Sequence, residues 1–395
     1  MIKYFTITFI LIYIIFTIYF KIKNRFWSRQ PVFHYHNIFY WLFPPGIIEH
    51  SLPALNKFYN PMILFHKYSN VKEKEKNDIF DLIRYNYLRE KDLQYDPSKL
   101  SIFSYFQSHF MPCFISLMYK KTPSFDVTNK QSILTNKLIS VMTTRPLKCV
   151  LDSKELILNY VDYLCVHMKS RKQGIAPQII YTHFVKARHK DKENVIFLFK
   201  REGQMTSIVP LTTYYTYGFH IKYWKYSLQK QENIQNILLT GQTIDKFYHF
   251  SKIIQSNCRC FIAPSISNLK MLIDQKLIYI FLLLKNNNPI ACYVFRNPYT
   301  NYKIQKKYKP SIDLITSYCN KEHIILFNDY FYHCLIQLRK TLPVECLLVE
   351  NIADNNIIIQ NIFKKHRPII KSPTAYYFYN FAYRPILSQN IFLLN

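Results

Sequence analysis

A run of seventeen uncharged, mostly apolar residues, Tyr4 to Phe20 ("YFTITFILIYIIFTIYF"), opens the hydrophobic pattern of the chain. It sits at the short end of what crosses a bilayer as a helix. Lys3 precedes it and Lys21, Lys23 and Arg25 follow, so the positive-inside bias puts the larger C-terminal part in the cytosol. A cleaved signal peptide and a buried core helix compete with this single-pass anchor, although no small-x-small cleavage site follows the run. Residues 24–60 are aromatic and Pro-containing without a helical period, which predicts an extended arm. In "NVKEKEKNDIFDLIRYNYLREKD" (70–92) a solvated charge run gives way to Ile79, Leu82, Ile83 and Tyr87 at helical spacing. "SILTNKLISVMTTRPLKCVL" and "ELILNYVDYLCV" are rich in β-branched and aromatic residues and predict paired strands. "APQIIYTHFVKARHK" predicts a helix, with Pro177 in its first turn and Ile180, Phe184 and Ala187 on one face.

A similar course follows. Residues 276–297 read as a hairpin around Asn286–Pro289, 323–340 as a helix, and 344–350 and 374–383 as strands. The polar, Gln/Asn-rich stretch 226–245 is the expected linker. The pattern therefore predicts an α+β chain made of two similar halves: anchor 1–21, N-terminal half 22–225, C-terminal half 226–395.

Charge adds a partner class. Lys and Arg outnumber Asp and Glu by 52 to 24, a formal +28, which favours nucleic acid, an anionic membrane or a phosphate-bearing cofactor. The abundance of Ile, Asn, Lys, Tyr and Phe also fits AT-rich coding, which weakens the charge as functional evidence. No basic-aromatic recognition motif appears, so no nucleic acid is expected. Nine cysteines lack a framework of spacings, and neither Cys258-Arg259-Cys260 nor His34 and His36 completes a metal-ligand set. No metal and no permanently bound cofactor are expected.

Glycine is used only five times, yet Gly174 stands in a basic turn, "MKSRKQGIAP", between a strand and a helix. A turn that wraps a pyrophosphate aims backbone N–H groups inward and needs a small residue there. The next helix adds its positive N-terminal end, and Lys169, Arg171 and Lys172 add charge. A solvated basic turn closed by a capping glycine would read the same way.

The wider stretch is more specific. "NYVDYLCVHMKSRKQGIAP" resembles the motif E-I-N-F-L-C-V-H-K-x-L-R-x-K-R-x-A-P of the protein N-myristoyltransferases, matching at Leu164, Cys165, Val166, His167, Arg171, Ala176 and Pro177. "RFWSRQPV" (25–32) is similar to that family's K-F-W-x-T-Q-P-V, and "YYFYNFAYRPILSQNIFLLN" (376–395) to its terminal Y-Y-L-Y-N-W and hydrophobic end. "KYWKYSL" (222–228) and "LIRYNYL" echo two more of its segments. The resemblance implies two GNAT-like acyltransferase halves about a pseudo-two-fold axis. It also implies direct transfer of myristate from myristoyl-CoA, the co-substrate, to proteins with an N-terminal glycine. On that resemblance the oxyanion hole falls at the amides of Tyr163 and Leu164, and the base is the terminal carboxylate at Asn395. CoA would contact Leu164, Val166, Lys169, Arg171, Lys172, Gln173, Gly174, Ile175, Ala176 and Pro177, with Arg25, Phe26 and Trp27 clasping its nucleotide. Tyr87, Asn320 and Tyr376 would meet the peptide.

The departures fall mainly on the peptide side. The family's acidic patch is Arg89-Glu90-Lys91-Asp92 here, its G-x-G-D-G-x-L is "PIIKSPT" (368–374) with Lys371 for an Asp, its T-A-G is Val209-Pro210-Leu211, and Cys319 replaces a Tyr. A membrane-tethered, non-catalytic relative that binds acyl-CoA or peptide remains the alternative at this point.

Overall fold

The computed structural model describes residues 2–88, 92–126, 131–226 and 233–395. Helix α1 (Ile2–Lys23) carries the apolar run, and residues Thr6–Lys23 are long and apolar enough to cross a membrane, with 6% of that stretch buried. Its C-terminal half touches the body: Phe20 packs edge-on against His34 and His36, and the Tyr13 hydroxyl, at mid-helix, donates to the His36 carbonyl at 2.9 Å. The expected arm 24–60 is irregular, with single helical turns at Trp27–Arg29 and Ile38–Leu42. Helix α2 (Glu73–Asn86) buries Ile79, Leu82 and Ile83, as the spacing required.

Strands β1 (Phe114–Asp126), β2 (Gln131–Leu151) and β3 (Lys154–Val166) form an antiparallel meander. Helix α3 (Ile175–Lys190) then crosses over to β4 (Ile196–Glu202), which pairs parallel to β3. Later, β8 (Ile278–Lys285) and β9 (Asn288–Arg296) form the expected hairpin, and β9 pairs antiparallel with β10 (Lys307–Cys319). From β10, helix α5 (Ile324–Thr341) crosses to the parallel strand β11 (Cys346–Glu350). Antiparallel pair, helix, parallel strand thus occurs twice, and the expected duplication is present in the sheet.

The halves are interlocked. Strand β5 (Thr212–His220), which follows β4, pairs with β11 of the second half, whereas β12 (Ile370–Tyr379), which follows β11, pairs with β4 of the first. The two exchanged strands pair with each other at the centre, so one sheet runs through both halves. Sequence periodicity cannot show this exchange, because strand partners are non-local. Residues 226–245 are not simply a linker: β6 (Ile234–Leu238) pairs with the edge of β8, and helix α4 begins at Ile244 (Ile244–Asn257), while 227–232 lie outside the described residues. Its Ile237 and Leu238 find apolar neighbours, which a count of polar residues overlooks. Strand β7 (Cys260–Ala263) joins β2 to the last strand, β13 (Ile391–Leu393), which is buried at the end of the sheet.

Candidate active site

The site starts from an irregularity in β3. Its register against β2 slips between Met142↔Leu164 and Thr144↔Val161, so Asp162 and Tyr163 together oppose Thr143. Such a bulge re-aims the strand. On the far edge, β3 and β4 pair only from Leu158↔Ile196 to Val161↔Phe199 and then separate. The Tyr163 amide donates to Thr143 Oγ1 at 3.0 Å and the His167 amide to the Ile139 carbonyl at 2.8 Å, both toward β2. Amides alternate along a strand, so those of Leu164 and Val166 point into the gap. Of the two expected oxyanion donors, Leu164 faces the cleft and Tyr163 does not: the Thr143 hydroxyl has taken it.

Three cavities meet at this gap. The first, 660 Å³, is lined by Leu164, Val166, Arg171, Lys172 and Gly174 to Pro177, with Asn86, Tyr87 and Leu88 opposite. Lys172 (φ +62°) and Gly174 (φ +75°) both have left-handed backbone, which curls the turn over the N-terminus of α3. The amides of Ile175 and Ala176 are free of helical partners there, and Pro177 has none to satisfy. Arg171 is partly committed to structure: its Nε donates to the Val166 carbonyl at 3.2 Å and Nη2 to the Asn86 carbonyl, fastening α2 to the turn. The second cavity, 510 Å³, is mostly apolar, with walls from Phe26, Trp27, Met142, Leu164, Ile180, Phe184 and Phe199. Trp27 stacks on Phe199 (5.6 Å, 10°). Trp27, which the resemblance set against the CoA nucleotide, is here a wall of the apolar cavity.

The third cavity, 310 Å³, is charged. Buried Arg145 holds Asp162 through Nε at 2.9 and 3.1 Å. Lys200 lies 2.6 Å from Glu202 and 2.9 Å from Glu350, and Arg296 3.0 Å from Asp313. Burial works against the Lys200 charge, but Glu202 and Glu350 outweigh it and hold the ammonium well above the usual lysine range. Burial raises Asp162 above an ordinary aspartate, and Arg145 only partly offsets that. Asn395 is buried here; its amide donates to the Tyr160 hydroxyl at 2.6 Å and the Tyr376 hydroxyl at 3.1 Å. Tyr87 lines all three cavities, while Val161, Asp162 and Lys200 line both the second and the third.

Burial also raises Asp313 to about 6, against the opposing pull of Arg296. The folded chain therefore holds a proton between pH 4 and 6 that the unfolded chain has released, and stability falls as pH rises through that window. Urea unfolding between pH 4 and 7 should show this fall, and Asp313→Asn should flatten it.

Several expected residues lie elsewhere. Arg25, Lys169 and Gln173 are exposed and line none of the three cavities. Asn320 sits at the turn into α5, where its amide bonds the Ile290 carbonyl, and it too lines none of them. Of the segment Arg89-Glu90-Lys91-Asp92, only Asp92 belongs to the described residues. The sequence carries a signal for the charged chamber: Arg296, Asp313 and Glu350 are charges set in or at the end of apolar strands, and Lys200 opens the charged end of the apolar run Ile196–Phe199. Such charges are costly unless paired.

Residues 54–196 match the family model of the N-terminal domain of myristoyl-CoA:protein N-myristoyltransferase. Over that stretch the chain is similar to the N-myristoyltransferases. The whole fold agrees with crystal structures of Saccharomyces cerevisiae N-myristoyltransferase. One, with bound myristoyl-CoA, superposes with a TM-score of 0.67 at 14% identity, over 92% of this chain and 94% of the yeast chain. Another, with myristoyl-CoA and inhibitors, gives 0.68 at 14% identity, over 93% and 92%. No curated protein matches significantly. Identity is thus low enough that residue roles rest on this chain's own geometry.

Proposed function

We propose that the chain transfers myristate from myristoyl-CoA to the α-amine of an N-terminal glycine. The observation that carries this is the junction of a phosphate-type cleft, an apolar cavity and a carboxylate-rich chamber at Asp162 and Lys200. CoA lies along the turn Arg171–Pro177, where Gly174 and the N-terminus of α3 meet its pyrophosphate. Its acyl chain enters between Trp27, Phe184 and Phe199. The Leu164 amide receives the developing oxyanion. In the chamber the glycine ammonium needs a base, and the α-carboxylate of Asn395 takes that role, with Tyr376 bonded to the Asn395 side chain and Tyr87 elsewhere in the chamber wall. Asn320 belongs to no part of this arrangement.

Binding of myristoyl-CoA is the test: tight binding of the thioester, weaker binding of CoA alone, and failure of both if the reading is wrong. The variant Gly174→Val should weaken binding about tenfold or more, because L-residues lose ~1–2 kcal/mol in left-handed backbone and 1.4 kcal/mol is tenfold. An added Cβ at Gly174 meets nothing within 4 Å, so the loss comes from backbone strain. Gly174→Asn should therefore lose less than Gly174→Ala.

We propose further that α1 anchors the enzyme in a membrane with the site on the cytosolic side. Only Lys21 to Asn24 separate Phe20 from Arg25, so the acylated product would emerge close to lipid. Cell fractionation should place the full chain with membranes, and a soluble full chain would end this reading.

A further inference from the structure

Lys200 stands at the point where acyl donor and acceptor would meet. It is the residue on β4 directly after Phe199, the last partner of Val161, and so the first past the separation of β3 and β4. From there Lys200, its side chain 12% exposed, is a lining residue of both the apolar cavity and the charged chamber, with Nζ 5.9 Å from the centre of the Tyr376 ring. Arg145 and Arg296 line the chamber alone among these two. Two carboxylates, Glu202 and Glu350, account for two of the three Nζ protons. They also keep the ammonium charged. On the opposite edge of the gap Leu164 offers one amide, and the neighbouring Tyr163 amide is closed off by Thr143 Oγ1.

We propose that Lys200 is a catalytic residue, whose ammonium stabilises the negative charge on the thioester oxygen in the place of a second backbone amide. This rests on the acyl-transfer reading above. In the step, the glycine nitrogen, having given one proton to the base, attacks the thioester carbonyl carbon, and the C=O pair moves onto oxygen. As that pair returns, the C–S bond breaks; CoA leaves as a thiolate and takes the second proton released by the nitrogen, giving amide and thiol. Lys200 keeps its three protons throughout and acts by its charge. A fixed cation in a water-poor site needs no reorganisation as the oxyanion forms, and one donor of this kind is worth about 10²–10³ in kcat.

The test reads the carbonyl directly. Infrared difference spectra of the full chain in detergent, bound to myristoyl-CoA carrying ¹³C at the thioester carbonyl, should show the C=O stretch at lower wavenumber than in free myristoyl-CoA. Lys200→Gln and Lys200→Met should lose that shift, and Lys200→Arg should keep most of it. With a glycine-first peptide, Lys200→Gln should lower kcat about 10²–10³-fold with the peptide KM nearly unchanged. A wild-type complex whose carbonyl absorbs where the free thioester does overturns the proposal without need of any variant. So does a Lys200→Gln complex that keeps the wild-type frequency. Absence of myristoyl-CoA binding would instead strike the proposed function.

Discussion

Arg145→Met should lower the unfolding free energy by about 3–5 kcal/mol, the usual loss when one partner of a buried ion pair is removed. Arg145 is 1% exposed, binds both Asp162 oxygens through Nε, and lies over the rings of Tyr105 and Tyr160 at 5.1 and 5.3 Å. Methionine fills much of the volume but leaves the Asp162 carboxylate in the interior without its cation. The double variant Arg145→Met/Asp162→Asn removes both charges and should recover most of the loss. The single-variant deficit should shrink as pH falls, because Asp162, already raised by burial, then takes up a proton. Chemical unfolding of the three variants at two pH values checks all of this. A double variant no more stable than Arg145→Met would assign the effect to lost packing instead.

Neutralising the C-terminal carboxylate of Asn395 should lower kcat by about 10²–10⁴, the range for a lost general base. The Asn395 side chain is held in place by Tyr160 and Tyr376, with Arg296 Nη1 3.4 Å from Oδ1. Amidation by protein ligation changes only the charge, leaving these contacts intact. Deleting Leu394–Asn395 should abolish transfer too, but it also removes a fully buried leucine, so thermal unfolding must accompany that variant. Retained transfer by an amidated protein would move the base to another carboxylate, with Asp162 the nearest in kind.

Much of this was legible before the structure. Local periodicity placed α2, α3 and α5, and with them β2, β3, the β8–β9 hairpin, β11 and β12, because each buries one face or runs through the core; β1, β4, β5 and β10 went without a prediction. The motif around Gly174 located the first cavity, since left-handed backbone restricts residue choice so strongly. Hidden from the sequence were the facts that depend on partners far along the chain. Exchange of β5 and β12 between halves is one. The Thr143–Tyr163 hydrogen bond is another: it follows from a one-residue bulge, which no alternation of residue types announces. Similarly, nothing near Trp27 in the chain announces that Phe199 comes to lie against it. The chamber's charges were visible as interruptions in apolar strands, yet their pairing was not.

Transfer itself is the most direct measurement. The full chain is incubated with labelled myristoyl-CoA and two peptide libraries that differ only in beginning with glycine or alanine, and the acylated atom is identified by mass spectrometry. Label is expected on the α-amine of glycine-first peptides and almost none on the others. Tight myristoyl-CoA binding without transfer to any peptide would contradict it and leave a non-catalytic relative with the same fold.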